Sequence, residues 1–214
     1  MTTSRFSWVA RIAAQEASLN LHQTVADRCK HTYEQLMEAS RKPFLPPDFI
    51  VPMKETNQRW IYVASDTHEN LDDIDPSTIG KWLLFYDNVN ICEARGMTQH
   101  DYAWSCIKKL VEDDVLFSAK CSTACDNEPE KSMGVICCYT QNYSDKKDVK
   151  RAADAIRQAI HFPRDMFYKT DNDTRAGKYR YTGSKFVSIY KHTIENKMYE
   201  RDGVLKYKWH EIAI

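Results

Sequence analysis

Gly134-Val-Ile-Cys-Cys-Tyr-Thr140, a polar turn, and Ser144-Asp-Lys-Lys-Asp-Val-Lys-Arg-Ala-Ala-Asp-Ala-Ile-Arg-Gln-Ala-Ile160 form the stretch whose reading decides the fold. Val135 to Tyr139 is an unbroken apolar run rich in β-formers and too short for a helix, so it predicts a buried central strand. The segment after the turn predicts a helix. Ser144 or Asp145 caps it, Asp148 sits near the positive end of the dipole, and Val149, Ala152, Ala153, Ile156 and Ile160 recur at helical spacing. One face is apolar and must lie on the sheet. Strand feeding helix, with further strands on both sides in sequence, predicts a domain that mixes the two.

Working outward, residues 5–40 contain no Gly or Pro, and Leu21, Val25, Cys29, Tyr33 and Leu36 keep the helical step, so an N-terminal helical segment is expected there. Residues 41–58 read as a proline-rich connector, with four prolines between Arg41 and Pro52. Trp60 to Ala64 and Gly80 to Tyr86 read as strands, with an acidic loop from Asp66 to Asp75 between them. Thr98 caps a helix that ends at Glu112-Asp113-Asp114. Val115 to Ser122 reads as a strand, and Ala124 to Ser132 as a polar hairpin loop. Past the central helix, Arg164 to Lys169 is a strand, Thr170 to Arg175 a polar turn, Gly177 to Tyr181 a short strand and Lys185 to Lys191 another. A C-terminal hairpin is expected over 197–212, turning at Asp202-Gly203, with Leu205, Tyr207 and Trp209 on one face and Lys206, Lys208 and His210 on the other.

At 214 residues and 43% hydrophobic, the chain has enough apolar surface for one core, and a single domain over 1–214 is expected. Thirty basic and thirty acidic side chains cancel, so the overall field does not drive binding to nucleic acid or membrane, and an anion site has to be local. No apolar run reaches the length of a membrane span and the N-terminus lacks a signal-peptide core. No membrane partner is expected, and the location expected is cytoplasmic or nuclear. The seven cysteines read as reduced thiols, since Cys137 and Cys138 are neighbours on one strand and point to opposite faces.

Phosphate loops, nucleophile elbows and His-Glu-x-x-His are all missing. Cys121, Cys125, Cys137 and His161 lack the two close ligand pairs of a zinc site, so no metal and no cofactor is expected. The pattern that stands out is lysine. Lys81, Lys120 and Lys169 each end a predicted apolar strand, beside Trp82, beside Ser122 and Thr123, and beside Tyr168 respectively. Unpaired lysines are costly to bury, so either they converge on an anionic ligand or each snorkels separately into water. Phosphate fits an ammonium group, with hydroxyls adding hydrogen bonds and an aromatic ring stacking on a base. Arg175, with Lys178 and Arg180, adds a basic loop. Tyr139, His192 and Lys191 are the acid–base candidates if they meet in one cleft.

Gly80-Lys-Trp-Leu-Leu-Phe85, Ala119-Lys-Cys-Ser-Thr123, Val135-Ile-Cys-Cys-Tyr-Thr140 with Asp145 and Asp148-Val149, and Tyr168-Lys-Thr-Asp171 together resemble the eukaryotic family of the basophilic leukaemia-expressed protein. The likeness runs from about residue 60 to 191, placing a family-like core at 59–191. That family resembles the cap-binding translation initiation factor in fold. The resemblance implies an α+β architecture, a curved, mainly antiparallel sheet with helices packed on one face, and a nucleotide or RNA ligand without an assigned reaction. A methylated cap needs two tryptophans around the base and a nearby acid. Trp60 and Trp82 are the nearest candidates, and no Trp-Glu pair occurs.

Three functions compete on this reading. The first is binding of a phosphorylated ligand, nucleotide or RNA, at Lys81, Trp82, Lys120, Ser122, Thr123, Tyr168, Lys169 and Arg175. The second is a metal-independent phosphoesterase or nuclease at the same place. The third is a protein-interaction adaptor whose partner docks on the N-terminal helix or the C-terminal hairpin.

Overall fold

The computed structural model describes residues 45–66, 74–126 and 132–214. Ten strands are assigned among them: β1 (Trp60–Ala64), β2 (Gly80–Asp87), β3 (Ile91–Cys92), β4 (Met97–Thr98), β5 (Ser118–Ser122), β6 (Met133–Thr140), β7 (Met166–Thr170), β8 (Tyr190–His192), β9 (Met198–Arg201) and β10 (Trp209–Glu211). Eight build one open sheet in the order β1-β5-β6-β2-β7-β8-β9-β10, every pair antiparallel, while β3 and β4 make a small ribbon. Two long helices, α1 (Gln99–Glu112) and α2 (Lys146–Ala159), pack on one face, and a short helix, α3 (Asp171–Arg175), follows β7. The α+β class with helices on one face of an antiparallel sheet is therefore the observed architecture.

The central strand is held on both sides. β6 pairs with β2 over eight positions, from Gly80↔Thr140 to Asp87↔Met133, and with β5 on its other edge. Side chains alternate, so Trp82, Leu84 and Tyr86 of β2 and Ile136 and Cys138 of β6 enter the helix-side core. From α2 come Val149, Ala152, Ala153 and Ile156, all buried, as the helical spacing predicted. Full burial of Val149 and Ile156 contributes about 1.5–3 kcal/mol each. Trp82 locks α2 in place by donating its Nε1 hydrogen to the Val149 carbonyl at 2.9 Å.

Each long helix starts where the sequence said it would. Thr98 and Asp101 form a reciprocal capping box on α1, and Asp101 also accepts from the Met53 amide at 2.9 Å, tying the 3-10 turn Pro52–Lys54 to the helix. Asp145 rather than Ser144 caps α2.

Several boundaries differ from the sequence reading. The expected polar turn from Thr170 to Arg175 is instead the last residue of β7 followed by α3, because the Thr170 hydroxyl accepts from the Asp173 amide and caps the helix. Gly177 to Tyr181 is not a strand: Gly177 takes a φ of +66°, and a 3-10 turn occupies Arg180–Thr182. Of Lys185 to Lys191 only the end joins β8. β5 begins at Ser118, since Val115 and Leu116 fold back to donate to the Leu110 carbonyl. The C-terminal hairpin exists, but its connection runs from Asp202 to Lys208. Asp202 accepts from the Val204 and Leu205 amides, so Leu205 to Lys208 never enter a strand and their expected alternation does not form. The helical segment at 5–40 and most of the acidic loop lie outside the described residues.

Candidate functional site

The face of the sheet turned away from α1 and α2 carries the odd-numbered side chains of β2, β6, β7, β8 and β9 and the even-numbered ones of β1 and β5. Register fixes which of them meet. Tyr62 opposes Lys120, Lys120 opposes Cys137, Cys137 opposes Leu83, Leu83 opposes Phe167, Phe167 opposes Lys191 and Lys191 opposes Tyr199. Beside this row runs another, in which Ser118 opposes Tyr139, Tyr139 opposes Lys81 and Lys81 opposes Lys169. The three lysines singled out in the sequence thus share one face.

Their surroundings differ. Lys120 is half-buried, its Nζ 4.5 Å from the centre of the Trp60 ring and 5.9 Å from those of Tyr62 and Tyr139. Lys81 is 3% exposed, pairs with Asp171 at the start of α3 and lies 5.2 Å from the Tyr139 ring centre. Lys169, also 3% exposed, donates to the Lys178 carbonyl at 2.6 Å and sits 3.9 Å over Tyr179. Desolvation first, and the positive charge of Lys81 second, hold its pKa below the ordinary lysine value.

The thiol of Cys137 senses all three. Burial pushes it up to about 11, while Lys81, Lys120 and Lys169 each pull the other way, so their charges surround this sulfur. Burial also drives the Tyr139 phenol well above its usual range. The site offers fixed positive charge and aromatic surface.

Residues 76–175 match one protein family. That family is Bles03, the basophilic leukemia-expressed protein. The Bles03 match meets the resemblance read from the motifs, over a shorter span than residues 60 to 191. It holds Lys81, Lys120, Tyr139, Lys169 and Asp171, and it leaves out Trp60 and Tyr62. A search of curated proteins finds no match. Among solved structures, the chain is similar to C. elegans eIF4E-3 in complex with the 4E-binding protein Mextli and cap analog, at 16% identity and a TM-score of 0.39, covering 55% of this chain. The match spans 65% of that nematode chain, less than two thirds of its length. It is also similar to schistosome eIF4E complexed with m7GpppG and 4E-BP, at 14% identity and a TM-score of 0.46, covering 67% of this chain and 75% of the other. A third is Ascaris suum eIF4E-3 with m7G cap, at 14% identity and a TM-score of 0.36, covering 52% and 61%.

Within the Bles03-matched segment and beyond it, several predicted site residues stand elsewhere. Trp82 is fully buried on the helix side, edge-on to Tyr168 at 5.1 Å, so it belongs to the core and cannot stack on a ligand beside Lys81. Tyr168 is buried on that side too, its hydroxyl 2.6 Å from that of Thr140. Trp60 and Trp82 therefore occupy opposite faces and cannot enclose one base. Thr123 is buried and donates to the Gln58 carbonyl. Ser122 is on the lysine face, where its hydroxyl accepts from the Val135 amide at 2.9 Å. Arg175 is exposed and reaches Asp171 at 3.3 Å, joining the edge of the cluster through α3.

The acid–base trio is split. Tyr139 and Lys191 are on the lysine face, whereas His192 is fully buried on the other, where Arg157 Nε donates to its Nδ1 at 3.0 Å and its Nε2 donates to Asp154 at 2.9 Å. The cysteines are split as well: Cys121 faces the helices, 3.0 Å from His100, Cys137 faces the lysines, and Cys125 and His161 are exposed at separate places.

Tyr62, Tyr179 and Asp171 were missed as members of the site. For Tyr62 the signal was present, since alternation in Trp60-Ile61-Tyr62 puts both aromatics on one face with Ile61 inward. Nothing local marks Tyr179, which arrives through a loop.

Proposed function

We propose that the protein binds a phosphorylated ligand of the nucleotide or RNA class on the lysine-bearing face of its sheet. The carrying observation is Lys120, held among Trp60, Tyr62 and Tyr139 and neighboured across Cys137 by Lys81 and Lys169. A phosphate takes the ammonium groups, and a base stacks on exposed aromatic surface, of which Tyr62 is 67% accessible. Ligand contacts are assigned to Lys81, Lys120, Lys169, Tyr139, Trp60 and Tyr62. Trp82 and Tyr168 act only by holding β2 and β7.

Binding is favoured over phosphoester hydrolysis by the raised Tyr139 phenol and by the placement of His192 on the opposite face. Among the described residues no helix is long and apolar enough to cross a membrane, and a cytoplasmic or nuclear ligand is consistent with this reading. The test is equilibrium binding of fluorescent mononucleotides to the full chain, wild type and Lys120→Ala. Loss of binding in the variant is expected. Equal affinity of the two proteins refutes the assignment.

A further inference from the structure

We infer that the same face is a track for single-stranded RNA several nucleotides long, crossing the strands from Tyr62 to Tyr199, and that its far end is a second aromatic–basic cluster. This rests on the proposed function above and deepens it. The far cluster comprises Lys191, Tyr199, Arg201 and Trp209, with Phe167 and Phe186 beside them. Lys191 Nζ lies 4.7 Å from the Tyr199 ring centre and 5.5 Å from that of Trp209. The Arg201 guanidinium lies 4.1 Å over Trp209 and 5.3 Å from Phe186. Phe167, which opposes Leu83 in the middle of the sheet, meets Trp209 at 6.3 Å.

The two clusters repeat one design: a cation lying over aromatic rings on the same face of an antiparallel sheet. Between them, the row Lys120, Cys137, Leu83, Phe167, Lys191 is unbroken, with one residue from each successive strand. With strands about 4.8 Å apart, Tyr62 and Tyr199 are six strand steps, about 29 Å, from each other. A mononucleotide occupies one end only. A strand of several nucleotides reaches both, consistent with site sizes of about 4–16 nucleotides on comparable sheet surfaces.

Charge favours a polyanion at the far end. The Arg201 guanidinium donates to the Ser188 and Lys206 carbonyls, and its pKa is lowered by desolvation and by the nearby positive charge of Arg180. The carboxylates at this end include Asp165, 3.8 Å from Lys191, Glu211, which accepts from Lys197 and Tyr199 at the sheet edge, and Asp202, next to Arg201 in sequence, which accepts from His210 and from the Val204 and Leu205 amides. None of these contacts is with the Arg201 guanidinium. A single strand, rather than a duplex, matches flat aromatic surface, because only unpaired bases expose a face for stacking. RNA rather than DNA matches the hydroxyls this face carries at Tyr62, opposite Lys120, and at Ser118, opposite Tyr139, which can bond a 2′-hydroxyl.

The test uses the full chain and 5′-labelled uridine oligomers from about two to about twelve nucleotides, with the mononucleotide and matching deoxyuridine oligomers alongside. Affinity is expected to climb at least about tenfold with length and then to level off. Ultraviolet crosslinking followed by peptide mass spectrometry should mark both the Trp60–Tyr62 and the Tyr199–Trp209 peptides. Trp209→Ala should return the longer oligomers to the affinity of the short ones and leave mononucleotide binding intact, which also reports that the variant is folded. Lys191→Gln, a milder change, should do the same in part. Mononucleotide binding with no length dependence overturns the track and leaves the proposed function standing. Binding of neither overturns both, and equal affinity for the deoxy series overturns the choice of RNA.

Discussion

Trp82→Phe separates the two faces of the sheet. Its ring is fully buried against α2, and its Nε1 hydrogen satisfies the Val149 carbonyl at 2.9 Å. Phenylalanine keeps most of the apolar contact, including the edge-on approach to Tyr168, but removes the donor and leaves a small void. The Val149 carbonyl keeps its helical bond within α2, so the loss is one hydrogen bond, about 0.5–1.5 kcal/mol. The void adds about 1 kcal/mol, for a total of about 1.5–2.5 kcal/mol. For a domain of this size each kcal/mol lowers Tm by about 2–4 °C, so a fall of roughly 3–10 °C is expected. Nucleotide affinity, measured well below the lowered Tm, should stay within about twofold of wild type, because the ring never reaches the lysine face. Trp60→Ala should behave oppositely, losing affinity while Tm moves by a degree or two. The assays are differential scanning fluorimetry and fluorescence anisotropy on the same preparations. A Trp82→Phe protein with unchanged Tm and lost binding would refute the assignment of faces.

Other expectations concern single sites. Lys120→Ala should lower the slope of log affinity against log salt by about 0.7 for a single-stranded ligand, while stability changes by no more than about 0.5 kcal/mol in denaturant titration. Gly134→Ala places a methyl 2.5 Å from the buried His100 ring, and overpacking should cost about 1–3 kcal/mol, read as a lower urea midpoint; an unchanged midpoint would contradict the packing. His192 is held neutral, its pKa near 4 because burial opposes the charge and Arg157 donates to Nδ1. The unfolded chain takes up that proton first as pH falls from 6.5, so stability should drop by about 2 kcal/mol between pH 6.5 and 5, a slope that His192→Gln removes. Cys125 is exposed, whereas burial raises the pKa of Cys121, Cys137 and Cys138, so mass spectrometry should find Cys125 alkylated well before those three at pH 8.

The sequence carried the parts of the fold that local patterns encode. The β6–α2 unit was legible because Val135 to Tyr139 has no reading but a buried strand and because the apolar stripe of α2 is regular. The Thr98 cap was legible for the same reason. Long-range geometry was not. Alternation shows that Lys81 and Trp82 lie on opposite faces of β2, yet choosing them as neighbours in one site ignored it. Only the pairing of β2 with β6 and β7 reveals which face holds the helices. The same applies to Tyr168 and Lys169, adjacent in sequence and divided by the sheet. Tyr179 and the α3 residue Asp171 reach the lysines through backbone turns that begin at Thr170, whose capping role gives no periodic signal.

The charge at the centre of this face is not balanced. Lys81 and Lys169 oppose each other directly, and like charges placed so are destabilising. Asp171 answers Lys81, while Lys169 is met by one carbonyl and an aromatic ring, and desolvation first and the charge of Lys81 second lower its proton affinity. Cys137, on β6 next to the strand of Lys81, remains protonated, with a pKa of about 11 despite three ammonium neighbours, so desolvation dominates this part of the face. In such surroundings a point charge acts over a longer distance than in water, and an incoming phosphate is attracted more strongly than by the same lysines at the surface. An anion bound there would also raise the pKa of Lys169 toward its ordinary value. Binding and protonation are then linked, and affinity must fall with rising alkaline pH at a lower pH than an ordinary lysine would dictate. A lysine that merely extended its ammonium into water would show no such early decline.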